Sequence, residues 1–162
     1  MPEKIALRPA EDDDGEFLYS VYASTRGSEV AGFGWPQEQQ DAFLRMQFEM
    51  RRRSYAMQYP QAESRVILYD DAPAGSLIID RTASHISLTD IAVLPEFQGR
   101  GIAGQIIAEL QHEAECAGVP VVLCVDKGNL HARRLYENLG FETAGETELT
   151  VEMCWTGKRD AK

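Results

Sequence analysis

Nothing in this sequence approaches the ~20-residue apolar run needed to cross a bilayer, and residues 1–8 carry no apolar signal region. Both absences set the expectation of a cytoplasmic protein with no membrane partner. Cysteine is sparse. Cys116, Cys124 and Cys154 stand without any short metal-ligand spacing, so buried, inert thiols and no metal site are expected. Positive charge is in deficit: 16 Lys and Arg against 26 Asp and Glu give a formal net charge of −10. That balance argues against nucleic acid, whose phosphates call for clustered cations. The short basic run Arg51-Arg52-Arg53 closes a helical pattern, where cations complement the helix dipole. Internal repeats and low-complexity tracts are missing as well, which excludes solenoids and linkers.

What is present is a globular composition. With 162 residues, 44% hydrophobic and 26% charged, one domain over 1–162 with a real core is expected. Residues 5–7 read as a first strand ending at Pro9. Asp12, Asp13 and Asp14 offer N-caps for a helix to about Ser24, before a glycine-rich loop over 27–34. Pro36 suits the first position of a helix to about Arg53, with Phe43, Leu44, Met46, Phe48 and Met50 as its apolar residues. A hairpin pairs 65–69 with 75–81 across Asp70-Asp71-Ala72-Pro73. In 85–94 the apolar positions change phase, from Ile86 and Leu88 to Ile91 and Val93. Strand side chains alternate with a period of two, so one residue is inserted there: a β-bulge near Thr89-Asp90.

The densest signal follows that strand. Gln98-Gly99-Arg100-Gly101-Ile102-Ala103-Gly104 places three glycines in six residues ahead of a helical pattern over 101–117. Glycines remove Cβ atoms where backbone must approach a ligand, and a helix start offers unpaired N–H groups at the positive end of the dipole. This is an anion site, most often for phosphate. Gly118-Val119-Pro120 stops the helix, and the near-continuous apolar run 121–125 reads as a strand buried on both faces. Strand, loop, helix, strand is a crossover that makes the two strands parallel. Asn129 opens a second helix ended by Gly140, and 141–143 with 149–155 form a closing hairpin. On that helix Asn129, Arg133 and Tyr136, spaced i, i+4 and i+7, share a face. Asn129 could cap or meet a ligand; Tyr136 could pack or present its phenol.

Two phosphate readings compete. Gly99-x-Gly101-x-x-Gly104 matches the dinucleotide fingerprint, with Asp126 about 20 residues on as a ribose-binding acid. Against it, Pro95-Glu96-Phe97-Gln98 separates strand from glycine, and only one more helix-sized pattern follows Asp126. The alternative is Gln98-x-x-Gly101-x-Ala103, which resembles the pyrophosphate-binding motif of the GNAT superfamily of acetyl-CoA-dependent N-acetyltransferases. Asp90-Ile91-Ala92-Val93-Leu94-Pro95-Glu96 is similar to that family's fourth strand and turn. Asn129-Leu130-His131-Ala132-Arg133-Arg134-Leu135-Tyr136-Glu137-Asn138-Leu139-Gly140-Phe141 is similar to its second signature.

The resemblance implies an α/β (α+β) fold: a single GNAT-type domain with a mixed central sheet of about seven strands, about four helices, and a bulged strand four splayed from strand five. It implies acetyl-CoA as donor, held by Ile91, Ala92, Val93, Gln98, Gly99, Arg100, Gly101, Ile102, Ala103, Gly104, Asn129 and Arg133, within a core at about 85–141. A strand-four N–H near Val93 would aid the thioester carbonyl and Tyr136 would protonate the departing thiolate. The family's usual base positions fall on Ser87 and Cys124, which cannot serve, so Asp90 is the candidate anchor of a water-relayed base. His85 and Glu29 lie further down that order. The acceptor, a small-molecule or peptide amine, would meet elements at about 12–55, with Tyr22, Arg26, Glu29 and Trp35 as binding candidates among aromatics that could equally be core. A homodimer stays open. So do two other functions, a catalytically silent acyl-CoA-binding module and a nicotinamide dinucleotide-binding protein.

Overall fold

The computed structural model describes residues 4–157, with the side chains of Gly27, Ser28 and Glu29 excepted. Among them run β1 (Ile5–Pro9), α1 (Gly15–Ala31), α2 (Gln37–Gln58), β2 (Glu63–Tyr69), β3 (Ala72–Arg81), β4 (Ile86–Val93), α3 (Ile102–Ala117), β5 (Val121–Asp126), α4 (Leu130–Asn138), β6 (Glu142–Glu146) and β7 (Thr150–Trp155). The strands form one mixed sheet in the order β1-β2-β3-β4-β5-β7-β6. β4 and β5 are parallel neighbours, as the crossover through α3 requires. The last strand, β7, inserts antiparallel between β5 and β6.

The chain divides into two compact units: residues up to Leu77 with Ala92–Gln98, and Ile78–Ile91 with residues from Gly99. In the first, the hairpin turn places Asp70 and Asp71 at positive φ (49° and 70°), as a tight hairpin connection demands. α1 and α2 bury Tyr19, Val30 and Leu44 together, with Tyr22, Phe43 and Phe48 packed around them. In the second, α3 lays Ile106, Ile107, Leu110 and Ala114 into a core shared with Val121, Leu123, Val125, Val151 and Met153. Those positions follow the expected helical and strand periods.

Several sequence expectations are corrected. α1 does not stop near Ser24 but runs through Gly27 to Ala31, so 27–34 is helix before it is loop. Val30 is 1% exposed, and burying it outweighs the ~1 kcal/mol cost of a helical glycine. Pro36 is the N-cap rather than the first helical residue, and its carbonyl accepts from the Gln39 and Gln40 N–H groups. α2 continues to Gln58, so Arg51-Arg52-Arg53 lies inside it and not at its end. There Arg51 stacks on Tyr22 and Tyr55, and Arg52 pairs with Glu49. Of the apolar residues expected to line α2, Leu44 is buried but Met46 and Met50 are exposed.

β5 is buried on one face only: Val121, Leu123 and Val125 point inward while Cys124 and Asp126 are exposed. The face that carries Cys124 and Asp126 is left open, which a continuous apolar run could not reveal. The thiols are accordingly not buried; Cys116 and Cys124 are exposed and Cys154 half-buried. Phe141 precedes β6, which starts at Glu142.

Candidate functional site

The glycine loop has the conformation that its sequence requires. Gly99 and Gly101 take φ of 82° and 77°, a left-handed region that costs an L-residue with a side chain roughly 1–2 kcal/mol. Among the described residues, chain neighbours aside, no atom lies within 4 Å of where a Cβ would stand on either. The space over the loop is therefore open to something else. Gly101 is the N-cap of α3, and the first helical hydrogen bond runs from the Gln105 N–H to the Gly101 carbonyl at 3.0 Å. The N–H groups of Ile102, Ala103 and Gly104 precede that bond and point out of the helix start. Ile102 itself is 2% exposed, so it anchors α3 with its side chain and offers only its backbone. The far end of α3 is closed by Gly118 in the left-handed region and a 3.0 Å bond from the Val119 N–H to the Ala114 carbonyl.

β4 and β5 part along their length. Their pairing covers Ile86 with Val121, Ser87 with Val122 and Leu88 with Leu123, and ends there. β4 continues to Val93 and β5 to Asp126, so from Thr89 and Cys124 onward the two strands no longer pair with each other. That is the expected splay. β4 also carries the extra residue that the phase change called for. Thr82 N–H donates to the His85 carbonyl, and Leu94 N–H to the Ala74 carbonyl. From Thr82 back to Ala74 is eight residues along β3, and from His85 to Leu94 is nine along β4. One more residue on β4 is the count of a β-bulge.

α4 brings Tyr136 to this second unit. Asn129 caps it, accepting from the Ala132 N–H at 3.2 Å. At the other end Gly140 has φ of 97°, with Gly140 N–H donating to Glu137 and Phe141 N–H to Tyr136, both at 3.0 Å. This is a Schellman closure, and its usual apolar contact is Tyr136 against Phe141, ring centroids 5.9 Å apart. Gln111, buried on α3, donates to the Leu139 carbonyl at 2.8 Å and fixes the same corner. The Leu139-Gly140-Phe141 ending thus locks the ring that the sequence singled out. Burial, and secondarily the Asp90 carboxylate, push the Tyr136 phenol up to about 12. It stays protonated across the neutral range. Asn129 spends its side-chain oxygen as a cap, and Arg133 reaches Glu137 at 3.6 Å.

In the first unit, Gln98 donates to the Val93 carbonyl at 3.0 Å, so the motif glutamine ties the turn to the end of β4. Gly75 of β3 underlies the same segment. A Cβ there would stand well inside contact distance of the Ala92 carbonyl oxygen and 3.0 Å from the Val93 Cα. Sequence reasoning passed over Gly75 as an ordinary strand residue. An isolated glycine within a strand pattern signals close backbone approach. Gly75→Ala is expected to force Ala92 and Val93 away at a cost of about 1–3 kcal/mol, lowering the melting temperature by roughly 2–12 °C. Calorimetric melting of the variant checks this; an unchanged melting temperature contradicts the close approach.

The residues picked out toward an acceptor sit in the aromatic packing of α1 and α2. Tyr22 lies 5.5 Å from Phe48 under Arg26, whose guanidinium is 5.7 Å from its ring. Trp35 packs at 4.9 Å from Phe33 and 5.4 Å from Phe43. The side chain of Glu29 lies outside the described residues.

Comparison with known proteins agrees with this geometry. The family described as "Acetyltransferase (GNAT) family" matches residues 15–141. Mycothiol acetyltransferase from Brachybacterium faecium is 34% identical over 66% of this chain and 34% of its own length. [Ribosomal protein bS18]-alanine N-acetyltransferase from Salmonella typhimurium is 38% identical over 46% of this chain and 51% of its own. The chain therefore spans a third to a half of the curated relatives it matches. The crystal structure of PaiA N-acetyltransferase from Thermoplasma acidophilum in complex with coenzyme A superposes with a TM-score of 0.71 at 16% identity, covering 94% of this chain and 99% of that one.

Proposed function

Because this chain belongs to the acetyltransferase (GNAT) family, we propose that it transfers an acetyl group from acetyl-CoA to a primary amine by direct attack in a ternary complex. The observation that carries this reading is the pair of left-handed glycines, Gly99 and Gly101, with open space over them at the start of α3. Such a cradle suits the pyrophosphate of coenzyme A, which the amides from Gln98 to Gly104 would hold with help from the Arg100 charge. Ile91, Ala92 and Val93 would border the pantetheine with backbone groups, the Val93 N–H serving the thioester carbonyl as it gains charge. Asn129 and Arg133 would meet the same ligand at the start of α4. Acetyl-CoA supplies an activated acyl group and a thiolate leaving group. Tyr136, held protonated by burial, is the donor for that thiolate.

The acceptor is an amine of a small molecule or a peptide. One relative is named for an alanine of a ribosomal protein and another for mycothiol, so both sizes are represented in the family. Tyr22, Arg26, Glu29 and Trp35 are the candidates for its recognition, and a cytoplasmic location goes with this reading. An aliphatic amine near the lysine value of 10.4 costs roughly 4–5 kcal/mol to deprotonate at pH 7. Asp90, half-buried on the stretch of β4 beyond its pairing with β5, is the carboxylate we assign to relay that proton through water. Asp90→Asn keeps the shape and removes the basicity. Turnover of this variant should fall near neutral pH and recover as pH approaches the amine's own pKa. A pH–rate profile parallel to the parent's across that range removes Asp90 from the reaction. Acetyl-CoA consumption with an amine panel tests the function as a whole.

A further inference from the structure

Reading across the sheet from the β4–β5 gap leads first to Cys124 and then to Glu152. Leu123 is the last β5 residue paired with β4, so Cys124 borders the gap. On its other side Cys124 is directly opposite Glu152 of β7. Opposed residues project to the same face with Cβ atoms about 4.5–5.5 Å apart. Both are exposed, while their neighbours Leu123, Val125, Val151 and Met153 point into the core. The Glu152 charge reaches the thiol: partial desolvation by its neighbours first, and then this carboxylate, push Cys124 up from its ordinary value.

The surroundings leave that carboxylate room. β6 shifts register between Thr143 and Gly145, which sets Gly145 opposite Glu152. One carboxylate oxygen lies 3.6 Å from where a Gly145 Cβ would stand. A small thiol flanks it toward the gap and a glycine on the other side. Lys127 pairs with Glu146 at 3.0 Å and Arg133 with Glu137 at 3.6 Å. No ion pair holds Glu152 among the described residues.

Resting on the acetyl-transfer reading, we propose that Glu152 is a specificity-determining residue for the acceptor. Its carboxylate, on the face it shares with Cys124 and beside Gly145, receives the ammonium group of a cationic amine that reaches over the small Cys124 side chain from the β4–β5 gap. The substrate class is thereby aliphatic amines, charged at neutral pH, in preference to weakly basic aromatic amines. Cys124 matters by its size, since a longer side chain there would stand between Glu152 and the gap.

The test titrates n-butylamine, a cation at pH 7.5, and 4-methoxyaniline, neutral at that pH, against the protein–coenzyme A complex by ligand-observed NMR, and measures acetylation of both. Glu152→Gln should weaken n-butylamine binding about three- to thirtyfold, the range of an exposed to partly desolvated charged hydrogen bond. Binding of 4-methoxyaniline and of acetyl-CoA should not change. The double variant Glu152→Gln, Cys124→Glu should recover much of the loss, because it restores a carboxylate on the same face. Equal n-butylamine affinity in parent and Glu152→Gln, or no preference for n-butylamine in the parent, overturns the proposal. Glu152-dependent binding without acetylation of any amine would uphold it and overturn the acetyl-transfer reading instead.

Discussion

Tyr136→Phe is expected to leave acetyl-CoA affinity unchanged and to lower turnover by about 10²–10⁴-fold, the usual contribution of a positioned general acid. The ring is 7% exposed and packs on Phe141, contacts that phenylalanine reproduces, so the melting temperature should stay near the parent's. Only the hydroxyl is lost. The raised phenol adds a pH signature. A group whose value is pushed up to about 12 keeps its proton well past pH 10, so the parent's rate should not fall through the ordinary tyrosine range near 10. Single-turnover measurement of acetyl transfer across pH 7–11 checks both points. Full turnover in the Phe variant, with chemistry limiting, would reduce Tyr136 to packing.

Gly101→Val is expected to abolish measurable acetyl-CoA binding while the protein still folds. At φ of 77° a side chain costs roughly 1–2 kcal/mol, more when β-branched. Among the described residues, chain neighbours aside, nothing lies within 4 Å of the added Cβ, so no clash is added to that strain. The branched group would instead fill the space that the pyrophosphate needs. Gly118→Val is the control. It has the same left-handed strain, φ of 73°, and the same open surroundings, but it closes the other end of α3. It should cost similar stability and leave binding intact. Calorimetric titration of both variants with acetyl-CoA separates strain from occlusion; unchanged affinity in Gly101→Val would falsify the phosphate-loop assignment.

The parts legible in the sequence were those with local causes. Gly101, Gly118 and Gly140 mark helix ends because only glycine sits easily in the left-handed region, and all three do so. The phase change between Leu88 and Ile91 is a strict consequence of strand geometry, and the extra residue on β4 follows from it. What escaped depended on tertiary partners. The extension of α1 through Gly27 rests on burying Val30 against Tyr19 and Leu44, residues that no local rule links. The exposure of Cys124 depends on what packs over that face of the sheet, which a run of apolar residues does not encode. The antiparallel pairing of β5 with β7 brings Glu152 opposite Cys124, 28 positions later in the chain. Separation of that kind hides a carboxylate from any motif-based reading.

The central claim is that this chain moves acetyl groups from acetyl-CoA to amines. The most direct measurement follows free thiol as purified protein is mixed with acetyl-CoA and a panel of primary amines, with product mass read in parallel. The account predicts thiol release that depends on both protein and amine, matched by an amine product heavier by one acetyl group. Saturating acetyl-CoA binding with no amine-dependent thiol release from any member of the panel would contradict it.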